Sequence, residues 1–183
     1  MAKTRMVVLK GLANWAKIFE QNRDLTGFDN SLADKGGQCT LDLDIDANNL
    51  AKLRQAGWKH GGDPSPDNAG YFRVRLKRKW QEKYGGGAPK VFKEDGSLWD
   101  FNTDGEVGNG SVVSVIFQVY DTNYKGVVGS RLEEVKVEEH KAYTSTRMTF
   151  GNPSTIAEET PEVEAPKQKA APKKAVLEDE IPF

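Results

Sequence analysis

Tyr71-Phe72-Arg73-Val74-Arg75-Leu76-Lys77-Arg78-Lys79-Trp80 alternates apolar and cationic or aromatic side chains along its length. A period of two belongs to extended backbone, so the stretch reads as a half-buried strand. Phe72, Val74 and Leu76 share one face, and Tyr71, Arg73, Arg75, Lys77 and Lys79 share the other. Upstream, Thr40-Leu41-Asp42-Leu43-Asp44-Ile45 repeats the pattern, with acids in the polar positions. Between the two, Asn48 to Gly57 combines apolar spacing of three, a capping Asp46 or Asn48 and a terminal glycine, which predicts one short helix. Gly61 to Asn68 reads as a loop.

Downstream, Pro89 to Phe92 is a strand candidate running into the turn Glu94-Asp95-Gly96-Ser97. Ser111 to Tyr120 and Val127 to Val137 are rich in β-formers and form a long antiparallel hairpin around Asp121 to Gly126. Short strands, one small helix and many glycines predict a mainly all-β chain, a small antiparallel barrel or sandwich. No βαβ alternation suggests a parallel sheet. Trp15, Trp58, Trp99, Phe101, Phe117 and Tyr120 are read as core, because large aromatic side chains are mostly buried.

The 183 residues are 37% hydrophobic and 29% charged, with a formal net charge of -1. That suits one domain with a polar extension. After Phe150, seven carboxylates against four lysines give the segment -3 and leave residues 1–150 at +2. From Gly151 the chain is mostly Pro, Ala, Lys, Glu and Thr, too poor in apolar groups to offset its ordering entropy. Residues 151–177 therefore read as a disordered tether, and 178–183 as its tip. One cysteine and two histidines make a poor set of metal ligands, so neither metal nor cofactor is called for, and Cys39 fits a reducing, cytoplasmic setting. Polar residues interrupt any leader-like run near the start, and no stretch is long enough to cross a bilayer as a helix.

The Tyr71-to-Trp80 stretch carries the chemistry. Cations on every second residue lie about 6.6 Å apart, close to the spacing of successive phosphates on an extended strand. Arg73, Arg75, Lys77 and Lys79 are therefore the candidate phosphate contacts. Tyr71, Trp80 and Tyr84 are the candidate stacking platforms, with Trp80 equally suited to a core or rim position. Charge and stacking both tolerate any sequence. Two rival readings stand beside this one: a metal-dependent nuclease using Asp42, Asp44 and Asp46, and a protein–protein adaptor whose barrel binds no DNA. Alternating acids on one strand are more often its wet face, and His60 and His140 read as surface histidines. Gly85-Gly86-Gly87 lacks the spacing of a phosphate-cradling loop and reads as a flexible turn.

At the other end, Glu178-Asp179-Glu180-Ile181-Pro182-Phe183 has the make-up of a short linear ligand. Its acids steer it to a basic rim, Phe183 fills an apolar pocket, and Pro182 limits the entropy lost on docking.

The terminal Asp179 to Phe183 closely resembles the acidic Ile-Pro-Phe tip of bacterial single-stranded DNA-binding proteins. Val107 to Val115, Gly126 to Leu132 and Val135 to Val137 resemble the closing hairpin of phage single-stranded DNA-binding proteins with a divergent OB-fold. Similarity is weaker from Thr40 to Asp100. The resemblance implies an OB-fold over residues 1–150 whose groove binds single-stranded DNA, with Tyr71 to Trp80 as one of its central strands. It implies a non-enzymatic role in phage replication, recombination and repair, inside a host bacterial cytoplasm. It further implies a tail that recruits polymerase, helicase, primase or recombination factors and competes with DNA for the basic groove. A homodimer is expected from the family alone.

Overall fold

The longest strand, Thr4–Lys17 (β1), is one that alternation does not reveal. Its inward side chains Val7, Leu9 and Ala13 are buried, yet its outward Met6 and Val8 are also apolar, at 56% and 60% exposure. The computed structural model describes residues 3–143 other than 82, 84, 85, 123 and 125. After β1 come β2 (Gln38–Ile45), helix α1 (Ala47–Gln55), β3 (Asp63–Pro64), β4 (Phe72–Lys79), β5 (Lys90–Phe92), the short helix α2 (Phe101–Asp104), β6 (Ser111–Asp121) and β7 (Val128–Glu139). One sheet holds the strands in the order β3-β4-β2-β1-β6-β7-β5.

Every ladder is antiparallel except that of β5, a short strand that joins β7 in parallel. A parallel edge was not expected. It arises because the connection that follows β4, by way of Gly86 and Gly87, returns the chain to the far side of the barrel. The sheet curls until β4 and β7, which share no ladder, come together. Arg78 closes that seam: it donates to the carbonyls of Leu132 (3.1 Å), Gly86 (3.2 Å) and Gly87 (3.0 Å) and to Glu133 Oε2 (2.7 Å).

Inside the curl lie Leu9, Leu41, Leu43, Ile45, Val74, Leu76, Val113, Val115, Phe117 and Leu132, all fully buried. Period-two alternation, legible in β2 and β4 and continued in β6, places all of these except Leu9 of β1 and Leu132 of β7. Helix α1 adds Leu53 to this core, and its C-cap residue adds Ala56. It begins at Asp46, whose side chain accepts from Asn49 N at 2.7 Å, a cap typically worth about 1 kcal/mol. Near α2, Phe19 packs on Phe101 and Trp99, with ring centroids 5.1 and 6.5 Å apart. The result is an all-β, OB-like barrel.

Two glycines mark close approaches. Gly11 is paired on both sides, to Ile45 and Val113, where a Cβ would run into the Asp44 carbonyl. Gly129 lies beneath the ring of its cross-strand partner Tyr120. Arg78→Ala should lower unfolding stability by about 1–3 kcal/mol, because it removes the donor of the Leu132, Gly86 and Gly87 carbonyls and leaves the half-buried Glu133 with Arg131 as its remaining partner. Gly11→Ala should cost about 1–3 kcal/mol through overpacking. Urea denaturation midpoints read both, and wild-type midpoints would contradict the closure described.

Candidate nucleic-acid interface

The register between β2 and β4 sets this face. Asp44 stands opposite Arg73, Asp42 opposite Arg75, Thr40 opposite Lys77 and Gln38 opposite Lys79. The acids and cations of two separately read strands thus meet row by row on the outer surface.

Asp44 has no exposure, so its carboxylate must find donors within the protein. Arg73 supplies two, Nε to Oδ1 at 2.8 Å and Nη2 to Oδ2 at 3.0 Å. Ser65 Oγ and Asn68 Nδ2 each donate at 2.7 Å from the loop between α1 and β4, and Asn14 Nδ2 donates at 3.2 Å from β1. Burial alone would push the Asp44 carboxyl up. Hydrogen bonds from Arg73, Ser65 and Asn68, with the Arg73 charge, instead hold it below its ordinary value of 3.8. Arg73 also donates to Asp67 at 2.6 Å, and its side chain is only 19% exposed. Its guanidinium is thereby committed to the scaffold.

Arg75 differs. It grips the buried Asp42 through a two-pronged fork, at 2.6 and 2.7 Å, while 62% of its side chain stays exposed. Hydrogen bonding to Asp42 raises its already high pKa, fixing the charge at any working pH. Lys77 and Lys79 are exposed beyond it. The outer face of β4 therefore presents Arg75, Lys77 and Lys79, with Tyr71, 37% exposed, at its far end.

Clefts flank this row. One of about 360 Å³ is lined by Trp58, His60, Arg75, Lys77 and Ser130. A groove of about 750 Å³ brings Lys79 and Lys83 against Tyr120, Tyr124 and Arg131 of the β6–β7 hairpin. A third, about 280 Å³, joins Lys79 and Lys83 to Lys35 in the β1–β2 loop. The signal for these additional cations lies in strand order, which local sequence does not disclose.

The aromatic side chains divide. Phe117 is core, as expected; Trp58 packs half-buried against it, and Trp99 and Phe101 pack half-buried against Phe19. Tyr120 covers Gly129. Trp80 is half-buried, with the Arg23 guanidinium 4.2 Å from its ring centroid, pinning the β1–β2 loop to the end of β4. Trp15, read as core, is instead 60% exposed. Phe28, on the β1–β2 loop, is 92% exposed. Tyr84, the tether and the Glu178-to-Phe183 tip lie outside the described residues.

Asp42, Asp44 and Asp46 do not converge: the first two hold arginines and the third caps α1. Among the described residues no group of His, Cys, Asp and Glu is arranged to hold a metal ion. Cys39 is buried, its thiol pushed up to about 11 by that burial. His60 and His140 are exposed, each edge-on to a tryptophan.

No family model matches the chain, and no curated protein matches it. Solved structures share the fold. That of the single-stranded DNA-binding protein from bacteriophage Enc34 superposes with a TM-score of 0.50 and 10% identity, over 80% of this chain and 87% of that one. The same protein in complex with single-stranded DNA superposes at 0.51 with 11% identity, over 75% of this chain and 87% of that one.

The buried Asp44 makes stability depend on pH in a defined direction. A carboxyl whose pKa is lowered by folding stabilises the native state above the ordinary carboxylate range, and that contribution is lost as pH falls through the folded value. Urea midpoints between about pH 2 and 7 should show an acid limb that Asp44→Asn flattens, with lower stability at neutral pH. An unchanged acid limb in the variant would refute this role.

Proposed function

We propose that the chain is a non-enzymatic protein that binds single-stranded DNA along the outer face of β2 and β4, with little regard for sequence. The observation that carries this reading is the exposed row Arg75, Lys77 and Lys79, fixed at strand spacing on an OB-like barrel. The equivalent strand face and its flanking loops bind oligonucleotides in that architecture. The Enc34 protein, whose structure with single-stranded DNA shares the fold, supports the same choice of ligand.

In this reading Arg75, Lys77 and Lys79 contact phosphates, and Lys35 and Lys83 extend the path toward the β1–β2 loop. Arg73 holds the face in shape from below. Tyr71 stacks bases at one end. At the other, the planar guanidinium of Arg23 and the Trp80 beneath it form a composite platform, with Tyr84 completing the set. Preferential binding to unpaired strands is enough to remove hairpins, because a ligand of one state shifts the equilibrium toward it. The likeness of the Glu178-to-Phe183 tip to bacterial tips supports recruitment of replication, recombination or repair proteins. A -3 tail joined in sequence to a +2 core supports competition with DNA for the groove.

Titration of a labelled oligo-dT strand tests the reading. Affinity should fall with salt at a log–log slope of about -3.5, the value expected for about five phosphate contacts on a single strand. Lys77→Ala should weaken binding to every sequence alike and reduce the slope by about 0.7. Failure to bind at low salt would leave the adaptor reading in its place. Deleting residues 177–183 should leave binding unchanged or tighter and abolish capture of replication partners. A loss of DNA affinity on truncation would contradict competition.

A further inference from the structure

The exposed Trp15 lies where β1 departs from regular pairing. Asn14 faces Asp42 and Lys17 faces Thr40, so three steps along β1 match two along β2, and one residue is extra. Ala13, Ala16 and Ile18 are buried on the inward side of this bulge. Strict alternation would have sent Trp15 inward with Ala13. The inserted residue turns it outward instead, and it is 60% exposed. Bulges commonly re-aim a side chain beside a functional site.

The backbone here is strained. Trp15 has φ 48°, a left-handed conformation that a bulky residue seldom adopts. Asn109 holds it there, its Oδ1 accepting from Trp15 N at 2.8 Å. Such conformations persist where surrounding structure enforces them, and they cluster at functional sites. Mere solvation of an indole would not need this device.

The place matters as much as the exposure. Through the ladders, Asn14 aligns with Asp42 and Arg75, and Lys17 with Thr40 and Lys77. Trp15 lies between these two rows, on the same sheet and two strands from the cations of β4. Adjacent strands are about 4.8 Å apart, so the offset is about 10 Å, within reach of a nucleotide chain crossing the sheet. Asp42 between them is neutralised by Arg75. Beside the indole is a small cleft of about 170 Å³ that also includes Lys17, Asn109 and Tyr143, the last of these 55% exposed.

We infer that Trp15 is a base-stacking residue, displayed by the β1 bulge to take a base of the same DNA strand whose phosphates lie on Arg75 and Lys77. This rests on the DNA-binding reading above and adds a subsite on β1 to it. The strand then crosses β4, β2 and β1 in turn, with Tyr143 as a second aromatic wall.

The test is anisotropy of a labelled oligo-dT strand with the full chain and the variants Trp15→Ala, Trp15→Phe and Trp15→Gly. Trp15→Ala and Trp15→Gly should each weaken binding about 5- to 150-fold, the range for losing one stacked base, while Trp15→Phe keeps most of the affinity. Glycine adopts φ 48° without strain, so Trp15→Gly should melt no lower than wild type, which separates lost binding from lost folding. Saturating DNA should quench tryptophan emission less in Trp15→Phe than in wild type. Tight binding by wild type together with unchanged affinity in Trp15→Gly and Trp15→Ala would overturn the inference and leave the DNA-binding reading intact. A wild-type chain that binds no oligo-dT overturns both.

Discussion

A carboxylate with no exposure to water must be answered by donors, and the answer to Asp44 organises the outer face of this barrel. Its partners come from three separate parts of the chain: Asn14 on β1, Ser65 and Asn68 on the loop before β4, and Arg73 on β4 itself. Removing any one would leave charge or polar groups buried and poorly matched. The cluster therefore fixes how β4 lies on β2 and how the loop folds over the end of the sheet. Arg75 on Asp42 repeats the arrangement one row along, with its guanidinium left accessible.

This arrangement divides the cations of β4 into structural and presented ones. Arg73 is held from two sides by Asp44 and Asp67, whereas Arg75, Lys77 and Lys79 face outward. At the far seam Arg78, on the inward face of the same strand, ties β4 to β7 and to the glycine turn. Alternation along one strand thus serves two ends: inward residues close the barrel and outward residues display charge. The flanking loops add lysines and aromatic groups from distant parts of the chain, widening the face beyond the strand that defines it.

Much of this was legible in the sequence. Strict alternation located β2 and β4, a run of β-formers located β6, and a capping Asp46 or Asn48 with the apolar spacing that follows located α1. The strand β1 was not legible, because Met6 and Val8 make its outer face as apolar as its inner one. Trp15 was misread for a related reason, since a single inserted residue reverses the face of every position that follows, and nothing local to Asn14-Trp15-Ala16 announces it. The Arg73 and Arg75 ion pairs were hidden differently. The acids of β2 and the arginines of β4 both stand out in the sequence, but only strand order and register bring them face to face. The parallel pairing of β5 likewise depends on where a long connection returns.

The central claim is that single-stranded DNA crosses the outer face of β4, β2 and β1. Backbone amide chemical-shift mapping on addition of an oligo-dT strand tests it most directly. The largest shifts should fall on Arg75 to Trp80, on Gln38 to Asp42 and on Asn14 to Lys17, with β5 and α2 unchanged. Shifts confined to β5, α2 and the adjoining part of β7, or none at saturating oligonucleotide, would contradict it.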